Sequence, residues 1–251
     1  MASAADKGHF LNRIHPERSV TGSSRYDGTL TFYAFVKSIM CDLDARRVMD
    51  FGAGRGAPLL REERRWRRDL MDLRQYGAEV YACDIDPAVR SHGFSDHQIV
   101  LDGERLPFPD GFFDMIVSDV TFEHVQEPEK VAAELVRILR PGGMICARTP
   151  NRYGYPKFFT GLVPNRLHAK ALRFVQPGGR TSEDIFPTAF KMNSVRQVRR
   201  LFKGCEVSWY RDSAEPSYYF GSEVLYRAFL LLHKLLPNAM ATSLCLFIRK
   251  L

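Results

Sequence analysis

The chain has 251 residues, 45% of them apolar and 26% charged, with a formal net charge of +7. That composition is ordinary for globular proteins and excludes collagen-like, disordered and disulfide-framework classes. A multi-spanning membrane protein is excluded too: the longest apolar stretch, Ala239 to Ile248, is interrupted by Thr242 and Ser243, far short of the roughly 20 residues a spanning helix needs.

Cys41, Cys83, Cys146, Cys205 and Cys245 stand far apart, with no CxxC pair and no metal-ligand spacing. They read as free thiols of a reducing, cytoplasmic compartment, and no metal site is expected. The start, MASAADKGHF, has no apolar core of a secretory signal.

Residues 1–24 are polar and aperiodic and read as an arm or loop. A helical pattern over 27–43 puts Phe32, Val36, Ile39, Met40 and Leu43 on one face. Arg47 to Phe51 reads as a short buried strand ending in a glycine loop, and 58–76 as a charged helix. Further strands are expected at Glu79 to Asp84, Gln98 to Leu101 and Phe113 to Ser118. Pro128 opens a helix striped by Val131, Leu135, Ile138 and Leu139, which Pro141-Gly142-Gly143 stops. Met144 to Thr149 is a fifth strand. Ser194 caps a helix over 195–203 that ends at Gly204. Cys205 to Arg211 and Ser243 to Arg249 are the last strands, separated by a helical run over 222–236 bearing Leu225, Phe229, Leu232 and Leu236. Alternating strands and helices argue for a parallel sheet with helices on both faces, its ligands at the carboxyl edge.

Val48-Met49-Asp50-Phe51-Gly52-Ala53-Gly54-Arg55-Gly56 carries the strongest chemical signal. A strand ends, and three glycines at spacing two allow a tight turn and close approach of a ligand to the backbone. Asp84 ends the second strand, where a carboxylate accepts both hydroxyls of a ribose. Asp102-Gly103 ends the third, where a carboxylate receives an adenine amino group. Asp50 lies just before the glycines, at a position a nicotinamide site usually keeps apolar. A buried acid there suits a cofactor with a positive charge, such as the amino group of a methionyl moiety.

With these features the sequence resembles the class I S-adenosylmethionine-dependent methyltransferases, and within them the type 11 group that includes the ubiquinone and menaquinone methylases. The residues that carry the resemblance are VMDFGAGRG (48–56), VYACDID (80–86), LDGERLPFPDGFFDMIVSD (101–119), FEHV (122–125) and ELVRILRPGGMICARTPN (134–151). The resemblance implies a Rossmann-like α/β fold: a seven-stranded, mostly parallel sheet ordered 3-2-1-4-5-7-6, last strand antiparallel, helices on both faces. It further implies that Gly52, Ala53 and Gly54 face the methionine part of S-adenosylmethionine and that Asp50 lies near its amino group. Asp84 then holds the ribose, Ile85 packs on the adenine, Asp102 and Gly103 line the adenine edge, and Ser118 faces the sulfonium. Gly56 completes the loop. S-adenosylhomocysteine would be the product. Asp50 and Asp84 are farther apart than the roughly 20 residues usual for a glycine loop and its ribose acid, which reads as a surface extension around REERRWRRDL.

In methyl transfer the protein mainly positions nucleophile, methyl carbon and sulfur. If the acceptor must lose a proton, His124, after the fourth strand, is the candidate base; the alternative is a histidine that satisfies local backbone groups. Asp119, at the end of the fourth strand, is the candidate for contacting substrate or cofactor, or else it caps the loop. His15 and His168 read as surface histidines.

The expected organisation is an arm and helix (1–44), a cofactor-binding core (45–150), a helical substrate-cover insertion (151–192) and the rest of the sheet with a helical insertion (193–251). The cover combines Tyr153, Tyr155, Phe158, Phe159, Phe174, Phe186 and Phe190 with Arg152, Lys157, Arg166, Lys170, Arg173 and Arg180. It suits an aromatic or anionic small-molecule acceptor, or forms a Phe core with a basic face. An RNA methyltransferase using this basic insertion is the alternative, although no Asn/Asp-Pro-Pro-Tyr follows strand four. A nicotinamide oxidoreductase and a non-catalytic protein on the same fold are the remaining readings.

Overall fold

The computed structural model describes residues 10–103, 105–155, 187–216, 219 and 221–251. Seven strands form one sheet: β1 (Arg47–Phe51), β2 (Glu79–Asp84), β3 (His97–Val100), β4 (Phe113–Asp119), β5 (Leu139–Pro150), β6 (Cys205–Asp212) and β7 (Ser243–Lys250), in the order β3-β2-β1-β4-β5-β7-β6. β1 pairs in parallel with β2 and β4, β2 with β3, and β4 with β5. β7 runs against β5. Asn151, just past the end of β5, donates its N–H to Thr242 before β7, and Lys250 at the end of β7 donates to the carbonyl of Leu139 at the start of β5.

The period of two sorts apolar side chains onto the two faces. Met49, Phe51, Ile116, Ile145, Leu244 and Leu246 face one core. It is closed by α4 (Pro128–Ile138) and α5 (Val195–Leu201) through Leu135, Ile138, Val195 and Val198. Val48, Val80, Met115, Val117, Cys146 and Cys245 face the other, against Phe32, Val36 and Met40 of α1 (Gly28–Asp42). Both faces are covered, so the carboxyl edge of the strands is the place where polar side chains gather.

Four local expectations are corrected. The charged run 58–76 is not one helix but α2 (Ala57–Arg61), α3 (Arg65–Met71) and a 3-10 turn (Leu73–Tyr76). Only Leu59, Met71 and Leu73 are buried in them, too few to hold a continuous helix against the sheet. Pro141-Gly142-Gly143 does not stop the helix, which ends at Ile138; it lies inside β5. The pairing jumps from Phe113↔Leu139 to Met115↔Met144, so the extra residues form a bulge. Residues 10–14 are helical rather than an aperiodic arm, and Phe10 and Leu11 are buried. His15 is buried, not on the surface, and its Nε2 lies 2.7 Å from the Tyr226 hydroxyl.

Contacts divide the chain into a unit of residues 29–150, 188–210 and 244–251, which holds the sheet, and a unit of 1–28, 151–187 and 211–243. In the latter, α6 (Glu223–Leu235) buries Tyr226. That ring packs on Phe10 and Tyr219, and its hydroxyl donates to Glu215, which Arg18 holds in a bidentate ion pair. The inward face of α6 therefore runs through Tyr226 and Leu230; of the expected stripe, Leu225 is exposed while Phe229 stacks on Tyr155.

Candidate cofactor site

The loop after β1 is built for close approach. Gly52 has φ +79°, a left-handed conformation, and a Cβ there would lie 2.2 Å from the side chain of Thr121. No other residue fits. The N–H groups of Gly52 and Ala53 donate to the carbonyl of Cys83, tying the loop to β2. Gly54, also left-handed at φ +50°, turns its N–H onto Asp84 Oδ2 at 2.8 Å. Asp84 Oδ1 accepts the N–H of Asp86 at 2.9 Å. Both oxygens are thus oriented by backbone, each with a lone pair to spare. The long sequence gap between Asp50 and Asp84 does not separate them in space: Asp50 pairs with Ala82, two residues before Asp84 on the adjacent strand.

Asp50, Asp84 and Asp119 share the parity of Val48, Val80 and Val117, so they project from the same face of the sheet. Burial, followed by the charges of Asp119 and Asp84, pushes the Asp50 carboxyl up to about 7. No hydrogen bond reaches that carboxylate among the described residues. Its closest basic neighbour is His92 Nε2 at 4.0 Å, an imidazole held neutral by burial. Desolvated, crowded by like charge and unpaired, Asp50 is a site for a cationic group that the protein itself does not supply.

Asp119 is different. Arg148, its register partner at the end of β5, donates from Nε to Oδ1 and from an Nη to Oδ2, both at 2.7 Å. The half-buried phenol of Tyr33 lies in the field of Asp119; burial, then the charges of Asp119 and Asp50, raise that phenol well above its usual range. Thr29 receives the other Nη of Arg148. Arg148, Tyr33, Thr29 and His92 were not foreseen; opposite charges closing two neighbouring strands were the one sequence signal for Arg148.

Ser118 has the opposite parity. It is fully buried, and its Oγ has no hydrogen-bond partner among the described residues, so the fold turns it away from the three acids. His124 lies on the 3-10 turn Phe122–His124, partly exposed, with Nε2 3.8 Å from Glu123 Oε1. The turn is anchored by buried Glu123, which accepts from Thr149 through its side chain and from Ala189 and Phe190 through its carbonyl. Ile85 and Gly103 meet in one pocket with Phe51, Leu101, Leu106 and Val131. Its apolar walls suit a flat heterocycle, and Asp102 is exposed beside it. Of the expected cover, Arg152, Tyr153, Tyr155 and Phe190 are described. Tyr155 donates to or accepts from His233 at 2.7 Å and stacks on Phe229. His168, Phe158, Phe159, Phe174, Phe186, Lys157, Arg166, Lys170, Arg173 and Arg180 lie outside the described residues.

The sheet order and the glycine loop after β1 are those of a Rossmann-like α/β domain. Residues 49–147 match the family described as a methyltransferase domain. Over 139 residues the chain is 31% identical to a demethylmenaquinone methyltransferase of Thermus thermophilus, covering 52% of this chain and 58% of that one. Over 124 residues it is 30% identical to a ubiquinone biosynthesis O-methyltransferase of Xanthomonas oryzae, covering 46% and 47%. The matched segment spans about half the length of these curated relatives. Among solved structures, a geranyl diphosphate methyltransferase in complex with SAM has the same fold, with TM-score 0.51, 15% identity, and 87% and 85% of the two chains covered.

Proposed function

We propose that the protein is an S-adenosylmethionine-dependent methyltransferase acting on a small-molecule acceptor. The observation that carries this is the Asp50 carboxylate, half-buried and without a hydrogen-bond donor among the described residues, at the foot of a left-handed glycine loop. A nicotinamide cofactor would lay an anionic pyrophosphate on this loop, whereas a methionyl ammonium brings a positive charge to the carboxylate. Asp84, held by two backbone N–H groups, accepts the ribose hydroxyls. Ile85, Leu101 and Gly103 receive the adenine, with Asp102 at its edge.

The bound cofactor supplies an electrophilic methyl group on a sulfonium. The chain supplies position. The Asp119–Arg148 pair leaves no carboxylate oxygen undressed by a guanidinium, so Asp119 shapes the floor of the cleft rather than taking a proton. His124, on a turn anchored by Glu123, is the candidate to accept one from an acceptor hydroxyl. The similarity to a demethylmenaquinone methyltransferase and a ubiquinone biosynthesis O-methyltransferase favours a quinone-type acceptor. The wide spacing of the five cysteines, with no CxxC pair, supports a cytoplasmic protein.

Calorimetry with S-adenosylhomocysteine tests the reading. Purified protein should bind it, and Asp84→Ala should weaken binding at least tenfold. No heat of binding, or equal affinity in the variant, overturns the assignment. A labelled methyl donor offered with small-molecule extracts, and separately with RNA, identifies the acceptor class.

A further inference from the structure

Helix α6 has apolar side chains on both sides. Its inner side is anchored: Tyr226 is buried against Phe10 and Tyr219, and Phe229 and His233 meet Tyr155. Its outer side carries Val224, Leu225, Leu231 and Leu235, exposed by 77%, 41%, 58% and 72%. Val224, Ala228, Leu231 and Leu235 follow one another at four, three and four residues, a straight stripe along the helix. Arg227 and Lys234, both exposed, flank the stripe on one side. The sole acid of the helix, Glu223, sits in its first turn and is paired with Arg13 and Arg227.

From this arrangement we infer that α6 docks on an anionic lipid bilayer, lying in the plane of the surface with Val224, Leu231 and Leu235 inserted below the headgroups. Three observations select that occupant. The helix has 13 residues, too short to cross a membrane but long enough to lie along one. No described helix is long and apolar enough to span. The exposed cations stand beside the apolar stripe, where anionic headgroups would meet them, and the chain carries a net charge of +7. A second copy of the chain fits less well. Four side chains fall well short of the roughly 800 Å² each partner gives up in a stable dimer, and apposing two such faces brings the arginines and lysines together. The inference stands apart from methyl transfer and does not need it.

The test is co-sedimentation of the full chain with extruded vesicles, either pure phosphatidylcholine or containing one-third phosphatidylglycerol. The protein should pellet with the anionic vesicles and much less with the neutral ones. Leu231→Glu combined with Leu235→Glu should lower the partition coefficient at least tenfold. Arg227→Glu combined with Lys234→Glu should abolish the preference for phosphatidylglycerol. Circular dichroism melts and, separately, S-adenosylhomocysteine calorimetry report whether the variants stay folded. Absence of pelleting by the unaltered protein overturns the proposal, as does equal pelleting by folded Leu231→Glu/Leu235→Glu protein. A concentration-dependent dimer that the leucine variant lacks, seen by sedimentation velocity without vesicle binding, assigns the face to a second copy instead.

Discussion

Replacing Asp50 by Asn should move stability and binding in opposite directions. The Asp50 carboxyl is pushed up to about 7 by burial and by Asp119 and Asp84, against about 4 in an unfolded chain. The folded protein therefore holds a proton that the unfolded chain has released throughout that interval. Stability falls as pH rises from about 4 to about 7 and stays low above it. Three pH intervals at about 1.4 kcal/mol each give about 4 kcal/mol as a ceiling. With 23% of the side chain open to water, about 2–3 kcal/mol is the working figure. Asp50→Asn removes the charge at nearly constant shape, and its amide loses about 1 kcal/mol of that gain to unmade hydrogen bonds. The variant should thus be about 1–2 kcal/mol more stable at pH 8, with the pH 4–7 slope flattened. Urea unfolding followed by circular dichroism at several pH values measures both. Its affinity for S-adenosylhomocysteine should drop about 10- to 100-fold at pH 8, the worth of one charge-assisted hydrogen bond of about 1.5–3 kcal/mol. A variant that is less stable at every pH, with the slope retained and the affinity unchanged, would refute the argument.

Gly52→Ala should cost about 2–5 kcal/mol in urea unfolding, adding left-handed strain to collision with Thr121. Gly103→Ala, equally left-handed at φ +82° but with nothing within 4 Å, should cost only about 1–2 kcal/mol; equal losses would show that the glycine loop yields. Arg148→Met strands the Asp119 carboxylate and should lower stability by about 3 kcal/mol at neutral pH, read by thermal melts. His124→Ala should leave S-adenosylhomocysteine affinity within twofold while lowering kcat by about 100-fold for an acceptor that must be deprotonated. A large loss of affinity would instead make it a cofactor contact.

The parts of the fold written in short-range pattern were legible. Strand parity around Val48, Met115 and Ile145 needs only an alternation of side chains, and the glycine spacing needs only a turn. The bulge in β5 was not legible, because Pro141-Gly142-Gly143 ends a helix and kinks a strand with the same residues; only the jump in pairing from Leu139 to Met144 distinguishes them. His15 was misread because its partner, Tyr226, lies far along the chain and a polar residue among polar neighbours carries no local mark of burial. In the site, Asp50 and Asp84 were visible as acids closing strands. The neutralisation of Asp119 was not, since it depends on which strand becomes β4's neighbour and on a helix that brings Tyr33 over the edge. Ser118, whose role came from the family resemblance, lies on the opposite face of β4 from Asp119, because neighbouring residues of a strand alternate between the two faces of the sheet.

The place of β7 between β5 and β6 bears on how the molecule is made. During synthesis six strands emerge before residues 243–250, yet the sheet has a gap beside β5 until they arrive. Until then β5 presents an unbonded edge flanked by Ile145 and Ala147, a surface inviting wrong partners, and β6 has no strand to pair with. Closure joins residues more than 100 positions apart, Leu139 to Lys250 among them, and such distant pairing is slow. The nascent domain thus depends on its final strand for protection from aggregation, and lesions in Leu244, Leu246 or Ile248 would be felt first as poor yield rather than as altered chemistry.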